Sequence, residues 1–273
     1  MSTIVPTLDD TEFRAEWSRW RADRDQAVAA PDGILPIVSI DYLTAEPHAI
    51  DRLPGRWSSG EEGVVVDLDE GENLDAADDP EARRVVLTRS EAGSRRIGQG
   101  PLVIELVRGG DGDIVRVRDA QAPAVTAFRG TPAYEPDPAW RVVGRWVPQE
   151  QALTVATVSD RVSREAVSPG WVEFLLGGRD FRLTALPAHG RSDSVVLLFR
   201  DATSGVTTYA AQREILVELP TQGDDVIIDF NRAYNKPCAY SDFALCPLPP
   251  AGNTLDVAVE AGERIPSQRV RAH

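Results

Sequence analysis

The hydrophobic positions of the chain follow a helical period up to about residue 30 and a period of two afterwards. The apolar residues of the first segment recur at helical spacing and are Phe13, Trp17, Trp20, Ala27 and Val28. Asp9 or Asp10 can cap the start of this segment, and Glu12 follows three residues after Asp9. The pattern predicts one helix that packs against a sheet, and a helix that binds a partner is the alternative.

After Pro31, short runs of β-branched or alternating apolar residues are bounded by Gly, Pro and Asp, which is typical of strands. No helical pattern separates these runs, and this favours antiparallel pairing. The sequence therefore predicts a mainly β protein with antiparallel β-sandwich or barrel lobes and one N-terminal α-helix. Two hairpins are indicated, one turning at residues 109–112 and one at Gly177 and Gly178.

The length of the chain allows one large β domain or two smaller lobes, since 273 residues with 42% hydrophobic content can bury a sizeable core. The stretch FRGTPAYEPDPAW is the best candidate for a linker. The predicted organisation is a helix at residues 1–30 packing on the body, a first β lobe at 31–127, a possible linker at 128–140 and a second β lobe at 141–273.

The net charge of the chain narrows the range of partners. A formal charge of −14 and a pI of about 4.7 disfavour nucleic acids and anionic membrane surfaces, because the long-range field repels them. The N-terminus has no basic and apolar leader, and no apolar run reaches the roughly 18 residues of a membrane span. We therefore expect a cytoplasmic protein that binds a small-molecule ligand or substrate.

Several well-known catalytic and cofactor motifs are absent from the sequence, including GxSxG, the P-loop, GxGxxG and HExxH. His48, His189 and His273 are isolated in sequence, so a three-histidine metal centre is not expected. No metal and no cofactor are predicted. Cys238 and Cys246 enclose seven residues, and we interpret them as packed structural thiols, with a disulfide or redox pair, metal ligands and a nucleophile as alternatives.

Candidate chemistry is concentrated in the last third of the chain. In VVLLFRDATSGVTTYAAQRE, we expect a strand, a turn with positive φ at Gly205, and a second extended segment that includes Tyr209. Asp201 either bonds its own turn amides or acts, beside Tyr209 and Arg213, in holding a polar ligand. Both interpretations stay open from the residues alone.

The stretch DVIIDFNRAYN poses a similar choice. Alternation places Asp229 and Asn231 on one face of a strand and directs Phe230 into a core. An Asp and an Asn on a face otherwise occupied by Val or Ile either wall a polar cavity or anchor the loop PCAYSDFALCPLPP that follows.

The segments FRDATSGVTTY, DFNRAYNKPCAYSDFALCPLPPAGNTL and VEAGE resemble the signature of an uncharacterised bacterial and archaeal family, domain of unknown function 1684. The resemblance is dense over residues 197–263, although Lys236 and Pro237 stand where the family usually has a Pro pair. The resemblance to this family implies no known reaction. It implies that the following residues belong to one constellation: Asp201, Thr203, Ser204, Gly205, Tyr209, Arg213, Asp229, Asn231, Arg232, Tyr234, Asn235, Cys238 and Cys246.

Two function classes fit these residues. The first is a cofactor-independent enzyme that acts on a small molecule by acid/base chemistry, such as hydrolysis, cyclisation or isomerisation. Its expected catalytic residues are Asp201, Tyr209, Asp229 and Tyr234, and its expected substrate-binding residues are Arg213, Asn231, Arg232, Asn235, Thr203, Ser204 and Glu263. The second is a non-catalytic small-ligand-binding or scaffold protein. A metal site through Asp201, Asp229 and Glu263 is a minor variant of the first.

Overall fold

The computed structural model describes residues 9–90, 93–109, 112–157, 163–244 and 246–271. It confirms the mainly β prediction, since strands arranged in four antiparallel sheets dominate and helices are few. The chain divides into two compact units. One comprises Met1–Gln26 and Arg129–Arg269, and the other comprises Ala27–Phe128 and Val270–His273.

The predicted N-terminal helix is α1, Asp10–Ala29. It begins where the sequence indicates, because the carboxylate of Asp9 accepts a hydrogen bond from Thr11 N at 3.2 Å. The carbonyl of the same residue accepts from Phe13 N at 2.9 Å. The carboxylate of Asp9 therefore satisfies one of the amide donors that a helix start leaves without a partner, and its carbonyl accepts the first hydrogen bond of the helix.

The inward side of α1 differs from the predicted apolar stripe. Phe13 and Val28 are buried, but Ala27 is exposed and Trp20 is only half-buried. Arg21, which the hydrophobic pattern passes over, is 8% exposed. The helix therefore buries a charged group together with its apolar residues, and that charge needs a partner in the fold.

Within the described residues, the unit that contains residues 27–128 has eight strands. They are β1 Ile37–Tyr42, β2 His48–Ala49, β3 Arg56–Ser59, β4 Gly63–Asp67, β5 Arg84–Thr88, β6 Ser94–Gln99, β7 Leu102–Gly109 and β8 Gly112–Asp119. Two antiparallel sheets, in the orders β1-β8-β7-β6 and β2-β3-β4-β5, contribute side chains to one core. The short helix α2, Pro123–Thr126, also belongs to this unit.

The hairpin predicted in this unit is confirmed. Strands β7 and β8 pair from Leu102 with Asp119 to Gly109 with Gly112. Gly110 and Asp111, at the predicted turn, lie outside the described residues.

The unit that contains residues 129–269 has seven strands in the part of the chain that the structure describes. They are β9 Arg141–Ala156, β10 Ser163–Leu176, β11 Arg179–Thr184, β12 Leu186–Pro187, β13 Ser194–Phe199, β14 Arg213–Glu218 and β15 Asp225–Asp229. The sheets run β11-β10-β9-β15 and β12-β13-β14. The second predicted hairpin is confirmed by the pairing of β10 with β11, which ends at Leu176 and Arg179.

Phe230 anchors the core of this unit, as predicted, and is fully buried. Its ring meets that of Phe199 edge-on, with centroids 5.6 Å apart. Strands β13, β14 and β15 all end or begin next to this core. The polar residues that flank these strands are therefore positioned by a packed core.

One local prediction in this unit is wrong. Tyr209 and the threonines before it do not resume a strand, since this stretch forms turns with a single bridge between Ser204 and Thr208. Strand β14 begins only at Arg213. Positive φ at Gly205 is confirmed, at 83°, and hydrogen bonding within the turn takes the place of sheet pairing.

Candidate functional site

Asp201 follows β13 and fastens the turn that it begins. Its carboxylate accepts hydrogen bonds from Thr203 N and Oγ1, at 3.2 and 2.7 Å, and from Ser204 Oγ at 3.1 Å. Val259 N donates to the same carboxylate at 2.8 Å. Asp201 is 6% exposed, and a carboxylate has about four lone-pair sites. The fold therefore already uses the acceptor capacity that a general base would need.

Arg213, the first residue of β14, is 1% exposed and fixes the chain segment 259–263, VEAGE, which we call the closing segment. Its guanidinium donates to the carbonyl of Val259 at 3.0 Å, to that of Ala261, and to Asp201 Oδ1 at 3.3 Å. Burial lowers the pKa of Arg213, and the charge of Asp201 opposes that effect. The two residues are therefore a buried ion pair that holds the closing segment.

Glu263, at the end of the closing segment, is fully buried among donors. Its carboxylate lies 2.9 Å from Arg21 Nη1 and 3.4 Å from Arg24 Nε. Tyr240 Oη and Asn235 N donate to it at 3.0 and 2.7 Å. Glu263 is the partner that the buried charge of α1 requires. Through Tyr240 it ties the helix to the loop PCAYSDFALCPLPP, residues 237–250, which we call the signature loop.

Sequence reasoning missed Arg21, Arg24 and Tyr240 as members of this constellation. Arg21 lies four residues after Trp17, and Arg24 lies three residues after Arg21, so both continue the apolar stripe of α1. That spacing was the available signal. Spacing alone does not predict that Arg21 is buried, because arginine is rarely buried unless it is paired, and its partner Glu263 is 242 residues away in sequence.

A second carboxylate, Glu214, was also missed, and it forms what we call the Glu214 cluster with Tyr234 and Lys236. Tyr234 Oη donates to Glu214 Oε1, and Lys236 Nζ lies 2.5 Å from Oε2. Backbone hydrogen bonds of 2.8 and 2.9 Å between Glu214 and Tyr234 fix the pair in register. The side chain of Glu214 is 6% exposed, whereas that of Lys236 is 23% exposed. The cluster thus joins a buried carboxylate to groups that reach solvent.

The phenol of Tyr234 stays protonated across the neutral range. Burial raises its pKa above the usual value, and the negative charge of Glu214 raises it further. Arg24 lies over the Tyr234 ring at 4.8 Å from the centroid and opposes the rise. The hydroxyl of Tyr234 therefore acts as a hydrogen-bond donor, and the guanidinium of Arg24 lies against its ring.

Asp229 and Asn231 form a clasp. Asp229 caps a 3-10 turn, Phe230–Arg232, by accepting from Asn231 N and Nδ2 at 3.1 and 3.0 Å. Asn231, predicted on the strand face, instead lies in this turn and exchanges two hydrogen bonds of 2.9 Å with the backbone of Asp137. The side chain of Arg232 is 41% exposed and lies 3.5 Å from Asp229. These contacts tie the turn to Asp137, and none of them reaches the loop PCAYSDFALCPLPP that the anchoring interpretation invokes.

Tyr209 lies beside the two thiols. Cys238 and Cys246 are both buried and reduced, and Cys238 N donates to Cys246 Sγ at 3.3 Å. The hydroxyl of Tyr209 lies near the thiol of Cys238, and Arg269 lies over the Tyr209 ring at 5.6 Å from its centroid.

The structure therefore distributes the predicted residues over neighbouring but different groups. These are Asp201, Thr203, Ser204 and Arg213 at the closing segment; Asn235 and Glu263 at α1; Tyr234 in the Glu214 cluster; Asp229, Asn231 and Arg232 in the clasp; and Tyr209, Cys238 and Cys246 at the thiols.

The described residues contain no group of three or more His, Cys, Asp or Glu side chains arranged to hold a metal ion. In the same part of the chain, no helix has the length and apolar character needed to cross a membrane. His273 lies outside the described residues.

A groove of about 300 Å³ is also present in the 129–269 unit. It is mainly apolar, with Glu165 and His189 on its wall. The signature loop contributes Pro247 to it, and none of the predicted catalytic residues is among its lining residues.

The model of one protein family, described as "Protein of unknown function (DUF1684)", matches residues 126–264, about half of the chain. The chain belongs to this family. The matched region contains the closing segment, the Glu214 cluster, the clasp and both thiols. The DUF1684 match thus coincides with the unit in which these groups are assembled, but it assigns no reaction to them.

Among solved structures, the chain is similar to an uncharacterized protein of Haloarcula marismortui determined by solution NMR. The two are 35% identical over 51% of this chain and 78% of that protein, with a TM-score of 0.43. Among curated proteins, none matches the chain significantly.

Proposed function

We propose that this DUF1684 member is a cofactor-independent enzyme that acts on a small molecule by acid/base chemistry, with the Glu214 cluster as its reactive group. The observation that carries the proposal is the junction of a buried carboxylate with a protonated phenol and a partly exposed ammonium group. Hydrolysis, cyclisation and isomerisation are the reaction types that such a set can support.

The proposal moves the base from Asp201 and Asp229 to Glu214. Asp201 is committed to five donors within the fold, and Asp229 to the cap of a turn. Glu214 differs, because one of its partners is the flexible side chain of Lys236. A ligand that attracts the ammonium group can take the place of Lys236 at a carboxylate oxygen, so that the buried charge keeps a partner.

Each member of the cluster has a distinct proposed role. Glu214 accepts a proton from the substrate, Tyr234 donates a hydrogen bond to the oxygen on which negative charge develops, and Lys236 balances that charge. Lys236 is the one lysine in a chain that has 29 Lys and Arg residues in all. A compact, rotatable ammonium group suits this role better than the rigid fork of arginine.

The experiment is a screen of small carboxylates, phosphate esters, lactones and amides by thermal shift, followed by ligand NMR to detect conversion of any compound that binds. We expect Glu214→Gln to lower turnover about 100-fold to 10,000-fold with binding retained. The matched control is Glu218→Gln, since Glu218 lies on the same strand with a side chain that is 82% exposed. Equal loss of turnover in both variants would contradict the assignment.

A non-catalytic small-ligand-binding or scaffold protein is the second candidate. It is favoured by the buried ion pair of Asp201 and Arg213, whose hydrogen bonds hold the turn after β13 and the closing segment. The same screen separates the two candidates. Binding without conversion in the wild type, and unchanged binding in Glu214→Gln and Tyr234→Phe, would support the second.

A further inference from the structure

The two cysteines form a buried, reduced thiol pair that the Glu214 cluster does not use. Cys238 lies in a 3-10 turn, Pro237–Ala239, and is 1% exposed, and Cys246 is 6% exposed. The backbone amide of Cys238 donates to Cys246 Sγ at 3.3 Å, and the two thiols lie beside each other. The loop between them therefore already brings one sulfur atom to the other.

Polar groups surround Cys238 Sγ in a way that simple packing of thiols does not require. Gln212 is fully buried, and neither atom of its side-chain amide has a conventional hydrogen-bond partner within the described residues. That amide lies close enough to Cys238 to act as a donor to its sulfur, as does the hydroxyl of Tyr209. An unpartnered buried amide is destabilising, and a sulfur anion that accepts a hydrogen bond from it would offset that cost.

These donors favour the thiolate form of Cys238. Hydrogen bonding from Cys246, followed by that from Tyr209 and Gln212, lowers the pKa of Cys238 to about 7, although burial opposes the change. The hydrogen bond that Cys246 makes to Cys238, together with burial, raises the pKa of Cys246. The two thiols are therefore unequal, with one suited to attack an electrophile and the other held protonated beside it.

We propose that Cys238 and Cys246 are a peroxide-reactive pair in which Cys238 attacks and Cys246 resolves. The thiolate of Cys238 attacks one oxygen of a hydroperoxide, the O–O bond breaks, and the other oxygen leaves as an alcohol or water after taking up a proton. Cys246 Sγ then attacks the sulfenic acid of Cys238, the S–O bond breaks, and water leaves. Two thiols and one hydroperoxide thus give one disulfide, one alcohol or water, and one further water.

The burial of the pair selects the oxidant. With exposures of 1% and 6%, both cysteines are covered, so a small hydroperoxide reaches them only through local opening of the loop, and the disulfide of another protein does not fit. Arg269 contributes to this cover, because it donates to the carbonyls of Cys238 and Ala239 at 2.6 and 2.9 Å and pairs with Asp242.

The test begins with the reduced full chain treated with hydrogen peroxide at pH 7. We expect two titratable thiols in the denatured protein before treatment and none after it, a mass loss equal to two hydrogen atoms, and recovery with dithiothreitol. In Cys246→Ser, dimedone should label Cys238 as the sulfenic acid. In Cys238→Ser, peroxide should leave Cys246 unlabelled.

Two variants test the donors through the pH profile of the oxidation rate. If Tyr209→Phe moves the pKa of Cys238 from about 7 to about 8, the thiolate fraction and the rate at pH 7 fall about fivefold. Gln212→Met should act in the same direction. The other titratable or charged groups that bear on the pair are Cys246, Arg269 beside Tyr209, and Lys236 near Cys246.

Two results would overturn the proposal. One is survival of both thiols in the folded protein under conditions that oxidise the urea-denatured chain. The other is sulfenic acid labelling at Cys246 in Cys238→Ser together with its absence at Cys238 in Cys246→Ser. Both readouts are independent of turnover at the Glu214 cluster.

Discussion

Replacement of Glu263 by Gln removes one negative charge from a fully buried site without a large change of shape. Removing one partner of a buried ion pair costs about 3–5 kcal/mol. We expect the lower end, about 3 kcal/mol, because Arg21 keeps Asp25 at 3.1 Å. Arg24 keeps a hydrogen bond to the carbonyl of Asn235 at 2.7 Å but loses its carboxylate partner, so it carries most of the cost.

The measurement is the melting temperature followed by tryptophan fluorescence. For a unit of this size, 1 kcal/mol corresponds to about 2–4 °C, so Glu263→Gln should melt about 6–12 °C below the wild type. Glu260→Gln is the matched control, because Glu260 lies three residues earlier and is exposed, and we expect a change within about 0.5 kcal/mol. If the two variants melt within about 2 °C of each other, the inference that Glu263 balances the buried arginines of α1 is wrong.

Three further predictions concern other parts of the fold. Gly262→Ala should lower the urea midpoint far more than Gly252→Ala, because both glycines have positive φ but an added Cβ at Gly262 meets a carbonyl oxygen at 2.5 Å. Burial alone would raise the pKa of Glu105, but Arg118, Arg96 and Arg116 hold this pKa below its ordinary value of 4.5. The ionised carboxylate should therefore contribute its full stability above pH 4.5, and this contribution should be lost as acid protonates Glu105 in the folded state. Asp229→Asn should lower the melting temperature by weakening the turn cap and leave turnover unchanged.

Each of these predictions has a result that contradicts it. Equal urea midpoints for the two glycine variants would remove the steric argument. An identical acid dependence of the urea midpoint in the wild type and Glu105→Gln would show that this carboxylate does not contribute. Loss of turnover in Asp229→Asn, with an unchanged melting temperature, would return the proposed base to Asp229.

The sequence by itself determined the elements whose cause is local. The period-two runs, the positive-φ glycine at 205 and the glycines at 177 and 178 predict strands and turns that the structure contains, because pleat and turn geometry depend on neighbouring residues. The cap of α1 by Asp9 is of the same kind. Burial of Phe230 also followed from alternation along one strand.

Only the tertiary structure decided which charged groups meet. Glu214 and the exposed Glu218 lie four residues apart on β14, so alternation predicts that both side chains face the same side of the strand. Glu214 is nevertheless buried, because the segment that contains Tyr234 pairs with the strand there. Arg21 could be recognised as buried only with Glu263 in place, 242 residues away. Ion pairs and hydrogen bonds between distant segments leave no periodic trace in the sequence, since their geometry is set by packing and not by spacing along the chain.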